Sequence, residues 1–211
     1  MHDGLKFLLV LAVFFSVVGV CIWLGMRAHR KMTERMAVFA GRLGFTLVPG
    51  ARKTDYPRIT GTVRGKHLEF FNYTTGAGKS RVHWVAVSVA PSVPARLTFR
   101  LSRQGLLSKV QEFFGASEIT VGDPVFDGQW FIETNRPEFF RAALLPELRA
   151  KIEAARAVAP KQVRGEFRLE DGRVRYAEQG TFSEERCGRY EAMLPLLCDL
   201  ADVAEVEASM G

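Results

Sequence analysis

The sequence predicts an α+β protein: an N-terminal transmembrane helix, then one domain in which helices cover a mostly antiparallel sheet. Three observations carry this. Residues 7–26, FLLVLAVFFSVVGVCIWLGM, contain no charge, and Ser16 is their only hydroxyl. Beyond them, strand-like runs are joined by hairpin turns rather than by strict βαβ alternation. Among those runs stand segments whose apolar residues recur at helical spacing.

At about 1.5 Å per residue, such a run makes about 30 Å of helix, the thickness of a bilayer's hydrocarbon core. Residues 1–6 form a short head with Asp3 against Lys6, whereas Arg27, Arg30, Lys31 and Arg35 follow the run, with His29 among them. Basic flanks stay on the cytoplasmic side. The expectation is therefore a single pass through the inner (cytoplasmic) membrane with the C-terminal domain in the cytoplasm. The same four cations would touch anionic lipid head groups, each contributing about 1 kcal/mol when close to the surface. A cleaved signal peptide has an apolar core of about 7–15 residues and a small-x-small site. Here the run is longer and ends in Trp23-Leu24-Gly25-Met26-Arg27, and Val20 precedes Cys21 where a lipoprotein signal wants a small residue.

Residues 27–44 read as a juxtamembrane basic segment and helix. Met36, Phe39, Ala40 and Leu43 make its apolar face and Gly44 ends it. Residues 45–211 form the domain. Its first strand, 45–48, stops at Pro49-Gly50, and runs 58–64 and 66–73 flank Gly65 as a hairpin. The β-branched run 81–90 is apolar on both faces and should be central. Residues 97–101 alternate and read as a half-wet strand. Leu106, Leu107, Val110, Phe113 and Phe114 form a helical stripe closed by Gly115. Strands follow at 118–121 and 129–134, separated by a turn at Gly122-Asp123-Pro124. Asn135 is placed to cap a helix opened by Pro137, with Glu138 three residues on, and Pro146 should break or kink it. Asp171-Gly172 between runs 163–169 and 173–177 is the strongest hairpin signal. A last helix, 184–205, buries Tyr190, Met193, Leu194, Leu197, Leu200, Ala201 and Ala204, with Pro195 bending it.

Composition, 47% hydrophobic and 25% charged, excludes a disordered or collagen-like chain. The net charge of +6 points to no nucleic-acid surface, because Glu166, Glu170 and Asp171 stand among Arg164, Arg168, Arg173 and Arg175. Cys187 and Cys198 are eleven residues apart in one helix, about 16 Å, too far for a disulfide. No cysteine–histidine spacing suits zinc.

The chemistry-bearing patterns are few, and no cofactor or metal is expected from them. Residues 74–80, TTGAGKS, imitate a phosphate loop, but Tyr73 stands where its first glycine belongs and a β-branched run follows instead of a helix. His67, His83 and Glu69 would make a metal set if strand register brought the histidines together. Asp123 and Asp127 in GDPVFDG are the remaining candidates. Two carboxylates four apart can hold Mg²⁺ or serve as acid and base, and aspartate equally bonds its own backbone in turns.

Residues 114–152, FGASEITVGDPVFDGQWFIETNRPEFFRAALLPELRAKI, resemble segments of uncharacterised bacterial single-pass membrane proteins. The shared features are a Gly-Asp-x-x-Phe-Asp turn, an apolar strand and a proline-opened helix, over about a fifth of the chain. That resemblance implies a bacterial membrane-anchored cytoplasmic domain of unknown function and carries over no catalytic residue. The expected function is thus an interaction module that binds a protein or lipid partner at the inner membrane face. The alternative is a membrane-tethered hydrolase or phosphoryl-transfer enzyme using Asp123 and Asp127.

Overall fold

A computed structural model describes residues 2–52, 55–103, 117–158 and 165–210. Helix α1, His2–Leu43, is continuous through 42 residues, so the residues before the apolar run are helical and the basic flank contains no break. Residues Leu11–Leu43 satisfy the length and hydropathy of a membrane span, and no residue of its most apolar window is buried in the molecule. Gly44 closes α1 in the left-handed conformation (φ 69°), and the Phe45 amide reaches back to the Ala40 carbonyl at 2.9 Å. This is a Schellman stop, which reverses the chain into the sheet.

Nine strands follow: β1 (Thr46–Val48), β2 (Arg58–Val63), β3 (Lys66–Thr75), β4 (Val82–Val89), β5 (Phe99–Arg103), β6 (Ser117–Ile119), β7 (Trp130–Thr134), β8 (Gly165–Glu170) and β9 (Arg173–Gln179). They form one sheet in the order β1-β2-β3-β4-β9-β8-β5-β7-β6, and every pairing is antiparallel. The tight turns after β2 and β8 have both residues at positive φ, Arg64 and Gly65 at 52° and 78°, Asp171 and Gly172 at 52° and 68°. That is the two-residue geometry whose twist matches the strands. The expected helical stripe at Leu106–Phe114 and the strand residue Val163 lie outside the described residues.

The described helices pack on one face of this sheet. α2 (Pro124–Asp127), α3 (Pro137–Ala143), α4 (Pro146–Val158) and α5 (Glu184–Met210) join the C-terminal third of α1 there. Met36, Phe39 and Ala40 are at most 3% exposed, with the Phe39 ring edge-on to Phe70 of β3 at 5.2 Å. Pro146 separates α3 from α4 as expected, and α5 keeps Pro195 within one helix. Asn135 does not cap α3. Its amide oxygen accepts from the Thr98 amide at 2.7 Å and its NH₂ donates to the Arg96 carbonyl at 2.8 Å, and Arg136 occupies the cap position. A tertiary tie to the loop before β5 has taken the side chain that local sequence assigns to the helix end.

Two polar clusters lock α5 to the sheet. Glu178 of β9 is fully buried and meets Arg189 through two hydrogen bonds of 3.3 and 3.0 Å, while the Tyr176 hydroxyl donates to the same carboxylate at 2.8 Å. Beyond the β2–β3 turn, Lys66 pairs with Asp202 at 2.9 Å and with Glu205, and Arg64 reaches Asp199 at 2.6 Å. The Lys66 hydrogen bond and the Ser92 amide hold the Glu205 carboxyl below its ordinary 4.5. Burial works against ionised Asp199, but Lys151 and Arg64 outweigh it, so its pKa is lowered from 3.8.

A buried charge that loses its partner costs about 3–5 kcal/mol. Arg186 stays 3.7 Å from Glu178, so Arg189→Met should lower stability by about 3 kcal/mol, the low end of that range, in thermal unfolding of the detergent-solubilised chain, and a loss under about 1 kcal/mol would refute the tie. The depressed carboxylates stabilise the fold above their unfolded pKa, and that contribution disappears as pH falls through the folded values. Tm should accordingly drop between about pH 5 and pH 3, and less steeply in Lys66→Met.

Candidate functional site

The site grows out of the helical period of α1. Arg27, Lys31 and Arg35 are spaced by four, so they climb one side of the helix with Arg30 beside them, while Met32, Met36, Phe39, Ala40 and Leu43 turn to the core. All four cations are exposed, and none forms an ion pair among the described residues. Arg27 lies over the Trp23 ring at 5.2 Å. The polar side of the helix thus begins where the apolar run ends.

α5 completes the site. Its first turns lie beside α1 and leave a groove of about 470 Å³ lined by Lys31, Glu34, Arg35, Val38, Phe39, Arg42, Glu184 and Cys187. Arg42 crosses to α5, bonding Glu191 at 2.6 Å, and sits over the Phe39 ring at 5.4 Å. Val38 is 75% exposed on the wall. Cys187 is 5% exposed, and its thiol donates to the Ser183 carbonyl at 3.2 Å. Burial pushes that thiol up to about 11 against the opposing charge of Arg42. Lys31 and Arg35 line this groove, and Arg27 and Arg30 do not. Arg42 was findable from its place seven residues after Arg35 on the same helix side. Glu184 and Cys187 come from a helix about 150 residues away and left no local signal.

The aspartates have structural partners. Asp123 caps α2, one oxygen accepting from the Val125 and Phe126 amides at 3.1 and 3.2 Å and the other from Arg149 at 2.8 Å. Asp127 accepts from the Val121 and Gly122 amides at 2.9 and 3.0 Å. The turn expected at Gly122-Asp123-Pro124 is thus a capped helical turn. Asp123 borders a hollow of about 260 Å³ that Asp127 does not line. Register separates the histidines: His83 pairs with Thr74 at one end of the β3–β4 hairpin, and His67 lies at the other end, its carbonyl accepting from Ala90. Among the described residues no group of three His, Cys, Asp or Glu is placed to hold a metal. After the glycine-rich residues comes β4, and the loop itself holds only a short 3₁₀ turn, Gly78–Ser80.

With a pKa near 11 in place of 9.0, Cys187 holds about a hundredth of the thiolate of an ordinary cysteine at pH 8. A pulse of iodoacetamide read by peptide mass spectrometry should leave it unmodified at pH 8 and begin to label it above pH 10. Rapid labelling at pH 8 would show that the groove floor is open. At α2, Asp123→Ala removes a cap and should cost about 1 kcal/mol, with Asp123→Asn costing less. A Tm of the native chain raised by millimolar Mg²⁺, and not in the asparagine variant, would overturn the capping role.

No family model and no curated protein matches the chain. Among solved structures it is similar to the mycobacterial trehalose monomycolate transport factor A, TtfA, with a TM-score of 0.57 and 13% identity over 82% of this chain and 94% of that one. At that identity the likeness is one of fold: an antiparallel sheet with helices, shared by the two chains.

Proposed function

We propose that this protein is a membrane-anchored interaction module whose α1–α5 groove receives anionic lipid head groups at the cytoplasmic surface of the inner membrane. One observation carries this reading: α1 is unbroken from an apolar stretch with no buried residue into the core of the domain. A helix crossing a bilayer along residues 7–26 must put Arg27 to Lys31 within about 8 Å of the hydrocarbon edge, at head-group depth, and Arg35 about 6 Å further in, because each residue advances about 1.5 Å. Lys31 is then an unpaired cation at head-group depth at the membrane-side end of the groove, with Arg35, also unpaired, one turn below it. Charge-assisted bonds from Arg and Lys are the strong ones for phosphate. The basic flank supports the cytoplasmic placement. The likeness in fold to TtfA, a trehalose monomycolate transport factor, is compatible with this reading. The bonds held by Asp123 and Asp127 favour no hydrolase or phosphoryl-transfer reading.

Two measurements test this. A fluorescent reporter fused after Gly211 should be active in the cytoplasm, and alkaline phosphatase fused there should be inactive. An active phosphatase would reverse the orientation. Native mass spectrometry of the detergent-extracted chain should show retained phosphatidylglycerol, reduced at least about tenfold in affinity in the Lys31→Gln, Arg35→Gln double variant, as expected for about 1.4 kcal/mol. Equal retention in both proteins would remove the groove from lipid binding.

A further inference from the structure

The glycine-rich connection between β3 and β4 carries two exposed cations, Lys79 and Arg81, and no acidic residue from Thr74 to Trp84. Its height against α1 follows from two contacts. The Phe70 ring meets Phe39, and Asn72 lies 3.8 Å from the Met36 sulfur. Two residues forward along β3 are therefore three residues back along α1, so β3 runs toward the apolar end of the helix. On that ratio Gly76 stands level with about Arg30. On ideal rises of about 3.3 Å per strand residue and 1.5 Å per helix residue it stands level with about Arg27. The β1–β2 loop rises on the same side, with the Tyr56 ring 5.4 Å from His29 and Arg52 exposed.

This tip has a defined shape. Gly76 and Gly78 take φ of 77° and 56°, conformations that side chains resist, and the Ser80 amide and hydroxyl both donate to the Ala77 carbonyl at 3.1 and 2.8 Å. Behind it the Trp84 indole donates to the Thr75 hydroxyl at 2.8 Å and its ring stacks on Tyr73, 9° from parallel. Tryptophan and tyrosine backed by Lys and Arg are the residues that settle at a membrane–water interface.

We propose that the β3–β4 tip is a second contact with the same bilayer, Lys79 and Arg81 lying against anionic head groups. This rests on α1 spanning the membrane. A helix alone leaves the domain free to rotate about its own axis, and a second contact away from that axis removes the rotation. The tip is thus an orienting device, and it explains why a segment that mimics a phosphate loop keeps its lysine without the helix that nucleotide binding needs.

The test uses the full chain with Cys21→Ser in vesicles of phosphatidylcholine with and without phosphatidylglycerol. A bimane label is placed at Ala77→Cys, at Val93→Cys on the opposite end of the sheet, or at Trp23→Cys in α1. Quenching is read with lipids carrying a nitroxide on the head group or on the acyl chain. The expected result is head-group quenching at position 77 several-fold above that at position 93, stronger with phosphatidylglycerol and lost in Lys79→Glu, Arg81→Glu. Equal quenching at 77 and 93, with position 23 strongly quenched by the acyl-chain nitroxide, overturns the second contact and leaves the span standing. Absence of quenching at position 23 overturns the span and the tip contact together.

Discussion

Helix α1 has to satisfy two environments with one backbone. From Ala12 to Met26 its side chains are exposed, and from Met32 onward one side is sealed in the core while the other carries cations. No glycine–proline break or loop separates the two regimes. The domain is therefore carried on a rigid rod, and the position of every other element relative to the end of the apolar run follows from where the sheet grips residues 36–43. Burying Phe39 and Met36 supplies that grip, each contributing about 1.5–3 kcal/mol.

An antiparallel sheet covered by helices on one face leaves the other face to side chains, and this sheet fills it with paired charge. Arg100 meets Glu166 at 3.2 Å, Arg168 meets Glu166 and Glu170 at 3.1 Å, and Arg173 meets Glu69 at 3.5 Å. Arg100–Glu166 joins neighbouring strands as a cross-strand pair, the two Arg168 pairs run along β8, and Arg173–Glu69 reaches across β4. The alternation that argues against a nucleic-acid surface is the sequence trace of those pairs. They neutralise one another, whereas Lys31 and Arg35 on α1 and Lys79 and Arg81 at the β3–β4 tip form no ion pair among the described residues.

The groove and the aspartates show two ways in which polar residues are used. In GDPVFDG both carboxylates accept backbone amides within their own turn, and Arg149 neutralises Asp123. Their acceptor capacity is committed to the fold. Lys31 and Arg35 carry no ion pair and stand on a wall whose floor is the apolar Phe39 and the protonated Cys187. Glu34 and Glu184 line the same groove, so its cations and carboxylates face one space.

What the amino-acid sequence determined by itself was local. A charge-free run as long as a bilayer is thick, Gly44 as a helix stop, Asp171-Gly172 and Gly65 as hairpin turns, the proline break at 146 and the apolar stripe of α5 depend on neighbours within a few residues. The fold class and the basic run that follows the apolar stretch were legible for that reason. Tertiary structure decided the rest. The sheet order, which inserts β9 and β8 between β4 and β5, is set by long-range pairing that no local period encodes. Asn135 left its cap because the Thr98 amide needed an acceptor. The histidines parted because register moves a side chain along and across the sheet in fixed steps. The groove exists because α5 returns to lie against α1, bringing Glu184 and Cys187 next to Arg35. A side chain's identity fixes its chemistry, but its partner is fixed by packing across the whole chain.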